Sequence, residues 1–233
     1  MRVPLSPRLL ACCRYIAPGD RVADVGTDHG YLSIYLLREG LASRVYATDL
    51  REKPLQKARE NSRRFGVAEK MTFFCTPGLR GVPRDFDTLV CAGMGADTIC
   101  EILREAPWLR TGAYRLVLQC QSSGNDLRRF LAENGWTICR EQLVRDGKFL
   151  YTVIEAKAGA PGPLTPGEEY VSPALFREGG DLLPEYLPRC AAGARAAAEG
   201  ICRSRDPMDL ERLPYYERAY EEIKRMEETL CQR

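Results

Sequence analysis

Three short runs of this 233-residue chain bring acids, glycines and a lone histidine into spacings that suit a nucleoside-bearing ligand. The first run is Asp24-Val25-Gly26-Thr27-Asp28-His29-Gly30-Tyr31. Gly26 lets the backbone turn tightly and lets a ligand approach it closely. Its spacing, Asp-x-Gly-x-x-x-Gly, departs from the Gly-x-Gly-x-x-Gly fingerprint of dinucleotide binding, which counts against a nicotinamide-dependent oxidoreductase. The second run ends on Asp49, where an acid can accept both ribose hydroxyls of a nucleoside. The same position also suits an N-cap for the helix that follows. The third run, Cys91-Ala92-Gly93-Met94-Gly95-Ala96-Asp97, places two glycines where a flat ring could arrive edge-on.

These runs need a scaffold that brings them to one edge, and the hydrophobic pattern supplies it. Leu5 to Ile16 reads as a helix started by Ser6-Pro7. Arg21 to Val25, Arg44 to Thr48, Met71 to Cys75, Asp87 to Cys91 and Arg115 to Gln119 read as strands. Helices are expected at Tyr31 to Arg38, Pro54 to Phe65, after Gly95 to about Glu105, and Leu127 to Glu133. Trp136 to Val144 and Phe149 to Ala156 close as a hairpin around Arg145-Asp146-Gly147-Lys148. Such alternation predicts an α/β fold with a parallel sheet covered on both faces and an antiparallel strand at its end. That is the Rossmann-like layout of class I methyltransferases. In such sheets, ligands bind beyond the carboxyl ends of the strands, where all three runs fall.

The rest of the chain is of another kind. Ala156 to Pro173 carries an Ala-Gly-Ala-Pro-Gly-Pro linker signal. Leu183, Leu187, Cys190, Ala194, Ala197 and Ile201 then form a seam of small residues. After the break at Arg205-Asp206-Pro207, Leu213, Tyr216, Tyr220, Ile223, Met226 and Leu230 form a second. A coiled-coil-like helical hairpin is expected, giving a sheet domain over residues 1–157 and a helical domain over 158–233. The tail is acidic, ten Lys/Arg against fourteen Asp/Glu after residue 160, and the overall charge is only +2. A strongly basic mode of nucleic-acid binding is therefore excluded, although local electrostatic contacts are not.

No apolar run approaches the length of a membrane span. The stretch before Leu9-Leu10-Ala11-Cys12 lacks the apolar region of a signal peptide. The ten cysteines contain no Cys-x-x-Cys pair and stand beside one histidine, so neither a zinc site nor a disulfide framework is expected. This points to a reducing compartment, the cytoplasm.

The order and spacing of Leu5-Ser6-x-Arg8-Leu9, Asp24 to Leu32, Ala92-Gly93-Met94-Gly95, Leu118-Gln119 and Asp146-Gly147-Lys148 resemble the bacterial tRNA (adenine-22-N1)-methyltransferase family. The resemblance covers nearly the whole chain and implies a Rossmann-like domain that binds S-adenosylmethionine (SAM), followed by a helical coiled-coil domain. It implies that SAM contacts come from Arg8, Asp24, Gly26, Thr27, Asp28, His29, Gly30, Asp49, Leu50, Gly78, Leu79, Ala92, Gly93 and Met94. It implies substrate contacts from Tyr31, Gly95, Gln119, Gln121, Arg203 and Arg205, with tRNA as partner, no metal, and a monomer. Asp28 and His29 are the catalytic candidates. Asp28 would stabilise the cationic product, and His29 would orient the base, contact the cofactor or tie the helix start. Tyr31 would stack on a base or pack. Arg8 would meet the cofactor carboxylate or an RNA phosphate. The chain departs from the family pattern at Thr76-Pro77-Gly78-Leu79, where Pro77 replaces an acid, at Ala96, and at Gln121. A non-catalytic SAM-binding RNA partner is the alternative these departures raise.

Overall fold

The computed structural model describes residues 2–111, 114–204 and 206–232. Helix α1 (Pro7–Cys13) leads into β1 (Asp20–Val25), α2 (Tyr31–Arg38), β2 (Ala42–Asp49), α3 (Glu52–Arg64), β3 (Met71–Cys75) and β4 (Thr88–Met94). Then follow α4 (Ala96–Glu105), β5 (Arg115–Cys120), α5 (Gly124–Glu133), β6 (Trp136–Asp146) and β7 (Phe149–Ala158). The strand order is β3-β2-β1-β4-β5-β7-β6, with β1 to β5 parallel and β7 antiparallel to both its neighbours. This is the expected α/β sheet. Its order reverses between β1 and β4, which opens a crevice at their carboxyl ends.

The central strands are nearly continuous apolar runs because both faces are covered. Leu89, Cys91, Leu116 and Leu118 face a core built with α4 and α5, while Val22, Val45, Val90 and Val117 face one built with α1 and α2. Val25 stands in register with Thr48 on one side and Cys91 on the other, so the loops after β1, β2 and β4 start at one level. Between Ala92 and Met94 the β4–β5 ladder slips by one residue, and Gly93, at φ +81°, is the residue left over. That bulge turns the chain towards the crevice.

Beyond β7 lie α6 (Pro166–Tyr170), α7 (Pro173–Glu178), α8 (Leu183–Cys202), α9 (Pro207–Leu210) and α10 (Leu213–Cys231). The linker is therefore shorter than its composition implies. Thr165-Pro166-x-Glu168 is a capping box, with each side chain bonded to the other's backbone N–H, and Ser172 caps α7. Leu183, Leu187, Cys190 and Ala194 are buried as expected, but Ala197 and Ile201 are not. On α10 the buried residues are Ala219 and Ile223 rather than the bulkier members of the stripe. Pro188 lies inside α8 without ending it, and Pro214 occupies the first turn of α10.

The tail is joined to the sheet at a buried ion pair. Arg128 of α5 and Glu141 of β6 are almost wholly inaccessible and meet through three hydrogen bonds of 2.6–3.1 Å. The Arg128 guanidinium also donates to the Glu169 carbonyl at 3.0 Å, and the Ser172 hydroxyl donates to Glu141 at 2.6 Å. Burial alone would lower the Arg128 pKa, but the Glu141 charge outweighs it and holds the guanidinium firmly protonated.

Candidate functional site

Two cavities open at the crevice and share Gly26. The first, about 450 Å³, lies between the ends of β1, β2 and β3 and the face of α4. The second, about 270 Å³, lies between the loop after β1 and the N-terminal segment leading into α1.

Asp49, Leu50, Gly78 and Met94 border the first cavity, as expected of cofactor contacts. The Asp49 carboxylate accepts the Arg51 N–H at 2.9 Å, a local turn, whereas α3 begins at Glu52. The N-cap role is thus not what Asp49 performs. Thr48 ties the wall together, its hydroxyl donating to the Gly78 carbonyl and its own carbonyl taking the N–H groups of Gly26 and Thr27. Leu79 is turned into the core beside Val82 and Phe86, so it supports the wall from behind rather than lining it.

Arg8, Asp24, Thr27, Asp28, His29, Tyr31, Ala92 and Gly93 border the second cavity. Asp24 is buried, and one of its oxygens accepts both Thr27 at 2.7 Å and Ser33 at 2.5 Å. Burial pushes its carboxyl above the ordinary value, the two hydroxyls pull it back, and the Asp49 charge adds to the rise. A Cβ on Gly26 would stand 2.5 Å from the Met94 methyl, and the residue has φ +76°. Close approach is what this glycine permits. Gly30 has a different reason: its Cβ would stand 2.9 Å from that of Ala58 on α3. It is required by helix packing, and it borders neither cavity.

His29 occupies the left-handed region at φ 53°. Its Nδ1 lies 2.7 Å from the Asp28 carboxylate, its ring is parallel to Tyr31 at 6.1 Å, and its carbonyl takes the Asn61 amide at 2.8 Å. A non-glycine residue held there stores strain, of a kind that clusters at functional sites.

Gln119 corrects another expectation. It is fully buried, its Oε1 accepts Arg8 at 2.9 Å and the Gly93 N–H at 3.1 Å, and its amide donates to the Cys120 carbonyl at 2.8 Å. With these bonds made, it braces Arg8 and the β4 bulge instead of meeting substrate. Arg8 also faces Asp146 at 3.6 Å, which draws the β6–β7 turn to the same rim. Gly95 precedes α4 and Gln121 is exposed at the end of β5, so both stay at the crevice edge. Arg203 lies elsewhere, on a groove between α8 and α10 that includes Arg195 and Tyr220. Arg205 lies outside the described residues.

Sequence reading missed the α4 wall of the first cavity, namely Thr98, Glu101, Ile102 and Glu105. Their i, i+3, i+4, i+7 spacing directly after the Gly95 turn was the available signal. It also missed Ser6, whose buried hydroxyl has no partner and borders the second cavity. Among the described residues no group of three or more His, Cys, Asp or Glu could hold a metal ion, and no helix is long and apolar enough to cross a membrane.

A reversed-order sheet with an acidic, glycine-bearing loop over its switch point defines a Rossmann-like nucleoside-binding fold. The family profile described as "Methyltransferase domain" matches residues 5–154, and the chain belongs to that family. The nicotinamide-dependent alternative falls with this match. Among relatives, the tRNA (adenine(22)-N(1))-methyltransferase of Bacillus subtilis is 29% identical over 156 residues, 66% of either chain. The solved structure of the B. subtilis M1A22 tRNA methyltransferase TrmK superposes with a TM-score of 0.85 at 24% identity, covering 97% of this chain and all of that one. M. capricolum TrmK, solved with S-adenosyl-homocysteine (SAH), gives 0.77 at 22% identity over 94% of this chain and 98% of its own. The last two establish the shared fold, helical tail included.

Proposed function

We propose that this protein transfers a methyl group from SAM to N1 of an adenine in tRNA, at position 22 by analogy with the Bacillus subtilis relative. The observation that carries the reading is the pair of cavities meeting at Gly26. One has the volume and the ribose-binding acid for a nucleoside, and the other has polar groups for an amino-acid moiety and a target base. The unpartnered Ser6 hydroxyl fits this, because a buried polar atom without a partner is one a ligand can satisfy.

When bound, SAM supplies a methyl group on a positively charged sulfur that departs with the bonding electron pair. Adenine N1 has an in-plane lone pair and needs no prior deprotonation, so the protein's work is positioning and shielding from water. Asp49 would hold the ribose, with Gly78, Leu50 and Met94 around the nucleoside. Asp24, Thr27, Ser6 and Arg8 surround the second cavity, where Arg8 would answer a carboxylate or a phosphate. The methylated base is cationic, and the Asp28 carboxylate beside it stabilises that charge. Asp28 faces Nδ1 of His29, which in the neutral ring places the proton there and leaves Nε2 free to accept from the base amine.

The proposal assigns residues 1–157 to cofactor binding and catalysis. Residues 158–233, with Arg203 and Arg205, are assigned to the tRNA backbone, in a protein acting as a cytoplasmic monomer. Most affinity for so large a partner comes from phosphate contacts. The test is transfer of labelled methyl from SAM to bulk tRNA, with the nucleoside identified by mass spectrometry. 1-Methyladenosine is expected. SAM binding without transfer would support the non-catalytic reading instead.

A further inference from the structure

The first cavity contains more acid than a ribose needs. Three carboxylates border it: Asp49, Glu101 and Glu105. Asp49 sits at the end of β2 and is held by the Arg51 N–H. Glu105 is paired with Arg80 at 3.0 Å. Glu101 is exposed on the cavity side of α4 and engages no described side chain or backbone group.

The other polar side chains on this wall are weaker acceptors for a base amine: Thr76 and Thr98 offer neutral hydroxyls, which bond an amine less strongly than a carboxylate does. The Thr48 hydroxyl is spent on the Gly78 carbonyl. Pro77, on the loop after β3, has neither an N–H donor nor a side-chain acceptor. Val25, Met94 and Ile102 supply apolar surface for the faces of a flat ring. A purine held among them presents its exocyclic amine at the edge, and an amine donor calls for an acceptor. Glu101 lies one helical turn from Thr98, and it borders the same cavity as Ile102, which puts its carboxylate near the edge of a ring lying on Ile102.

We infer that Glu101 accepts the adenine amine of the cofactor and is the residue by which this site selects adenine over other bases. The inference rests on the SAM reading above and adds a specificity residue on α4, opposite the ribose acid. A carboxylate left without a partner on a cavity wall costs little while it stays hydrated. It gains a charge-assisted hydrogen bond once the amine arrives. Glu105, neutralised by Arg80, contributes only to the wall.

The test is calorimetric titration of the full chain with SAH and with the SAH analogue whose purine lacks the 6-amino group. Wild type should prefer SAH by about 10–100-fold, the range for one hydrogen bond to a charged acceptor. In Glu101→Ala the preference should shrink to within about threefold, and in Glu105→Ala it should stay at the wild-type value. Glu101 is exposed, so the variant folds, and retained binding of the amine-free analogue confirms that it has. A Glu101→Ala protein that keeps the full preference overturns the inference while leaving the SAM reading intact. A wild-type chain that binds neither ligand overturns both.

Discussion

The molecule treats charge in opposite ways at its two seams. At the crevice, Asp28 and His29 are about half to two-thirds exposed, Glu101 is unpaired, and His29 is held in a left-handed conformation. Under the tail, Arg128 and Glu141 are sealed from water, and Glu169 and Ser172 meet their remaining bonding capacity. The crevice leaves capacity unused for a ligand to take up. At the tail seam no nitrogen of Arg128 and no carboxylate oxygen of Glu141 lacks a partner, which is what permits two charges in the interior at all.

The difference also changes the status of the tail. A chain ending near Ala160 would be expected to fold and bind SAM if the helices were an appendage. That ending removes the Glu169 carbonyl and the Ser172 hydroxyl from the buried pair. It also strips Leu143 of the apolar cluster formed by α7, α8 and α10. The shortened protein should be destabilised, so loss of tRNA methylation on truncation does not by itself assign tRNA binding to the helices. Charge reversal at Arg203 and Arg205, with salt dependence measured on the full chain, separates the two effects.

The sharpest way to break the comparison is to unpair the sealed seam. Glu141→Ala should cost about 3–5 kcal/mol, because Arg128 is left buried without its counter-charge. Replacing both residues with apolar ones should recover much of that loss, as urea unfolding of single and double variants would show. A Glu141→Ala protein of wild-type stability would mean the pair is not sealed.

At the crevice the opposite pattern is expected, with function lost and stability kept. Asp28→Asn should lower methyl transfer by about 10–1000-fold with SAM affinity and unfolding midpoint little changed. Turnover at the wild-type rate would reduce Asp28 to an anchor for His29. Asp49→Ala should weaken SAM binding by about 1–3 kcal/mol, the cost of leaving ribose hydroxyls unpaired, and unchanged affinity would move the nucleoside elsewhere. The smallest effect tests the strain. His29→Gly should raise stability by up to about 1 kcal/mol, since glycine accepts φ 53° freely, while methylation falls. A variant destabilised on melting would show that the Asp28 and Tyr31 contacts outweigh the backbone cost.

Local pattern went a long way in this chain. Tyr31–Arg38 and Met71–Cys75 are where their periodicity put them, because apolar spacing and turn residues act over a few positions. The place of Gly26 and Asp49 at the crevice was legible for the same reason: residues that follow a strand's carboxyl end fall at the open edge of an α/β sheet. What the sequence could not tell was which of two identical residue types stands open at the crevice and which is spent on packing. Gly26 meets Met94 across the crevice, and Gly30 meets Ala58 of a helix far along the chain. Gln119 looked like a substrate contact until Arg8, more than a hundred positions away, turned out to occupy it. The burial of Arg128 depends on Glu141, Glu169 and Ser172, from three later elements. Periodicity and turn chemistry are properties of neighbours in the chain, so the sequence alone settled the strands and helices of the sheet region and the edge where their loops gather. Partner choice is a property of neighbours in space, and only the packed sheet and helices decided which polar groups were spent on each other and which were left for a ligand.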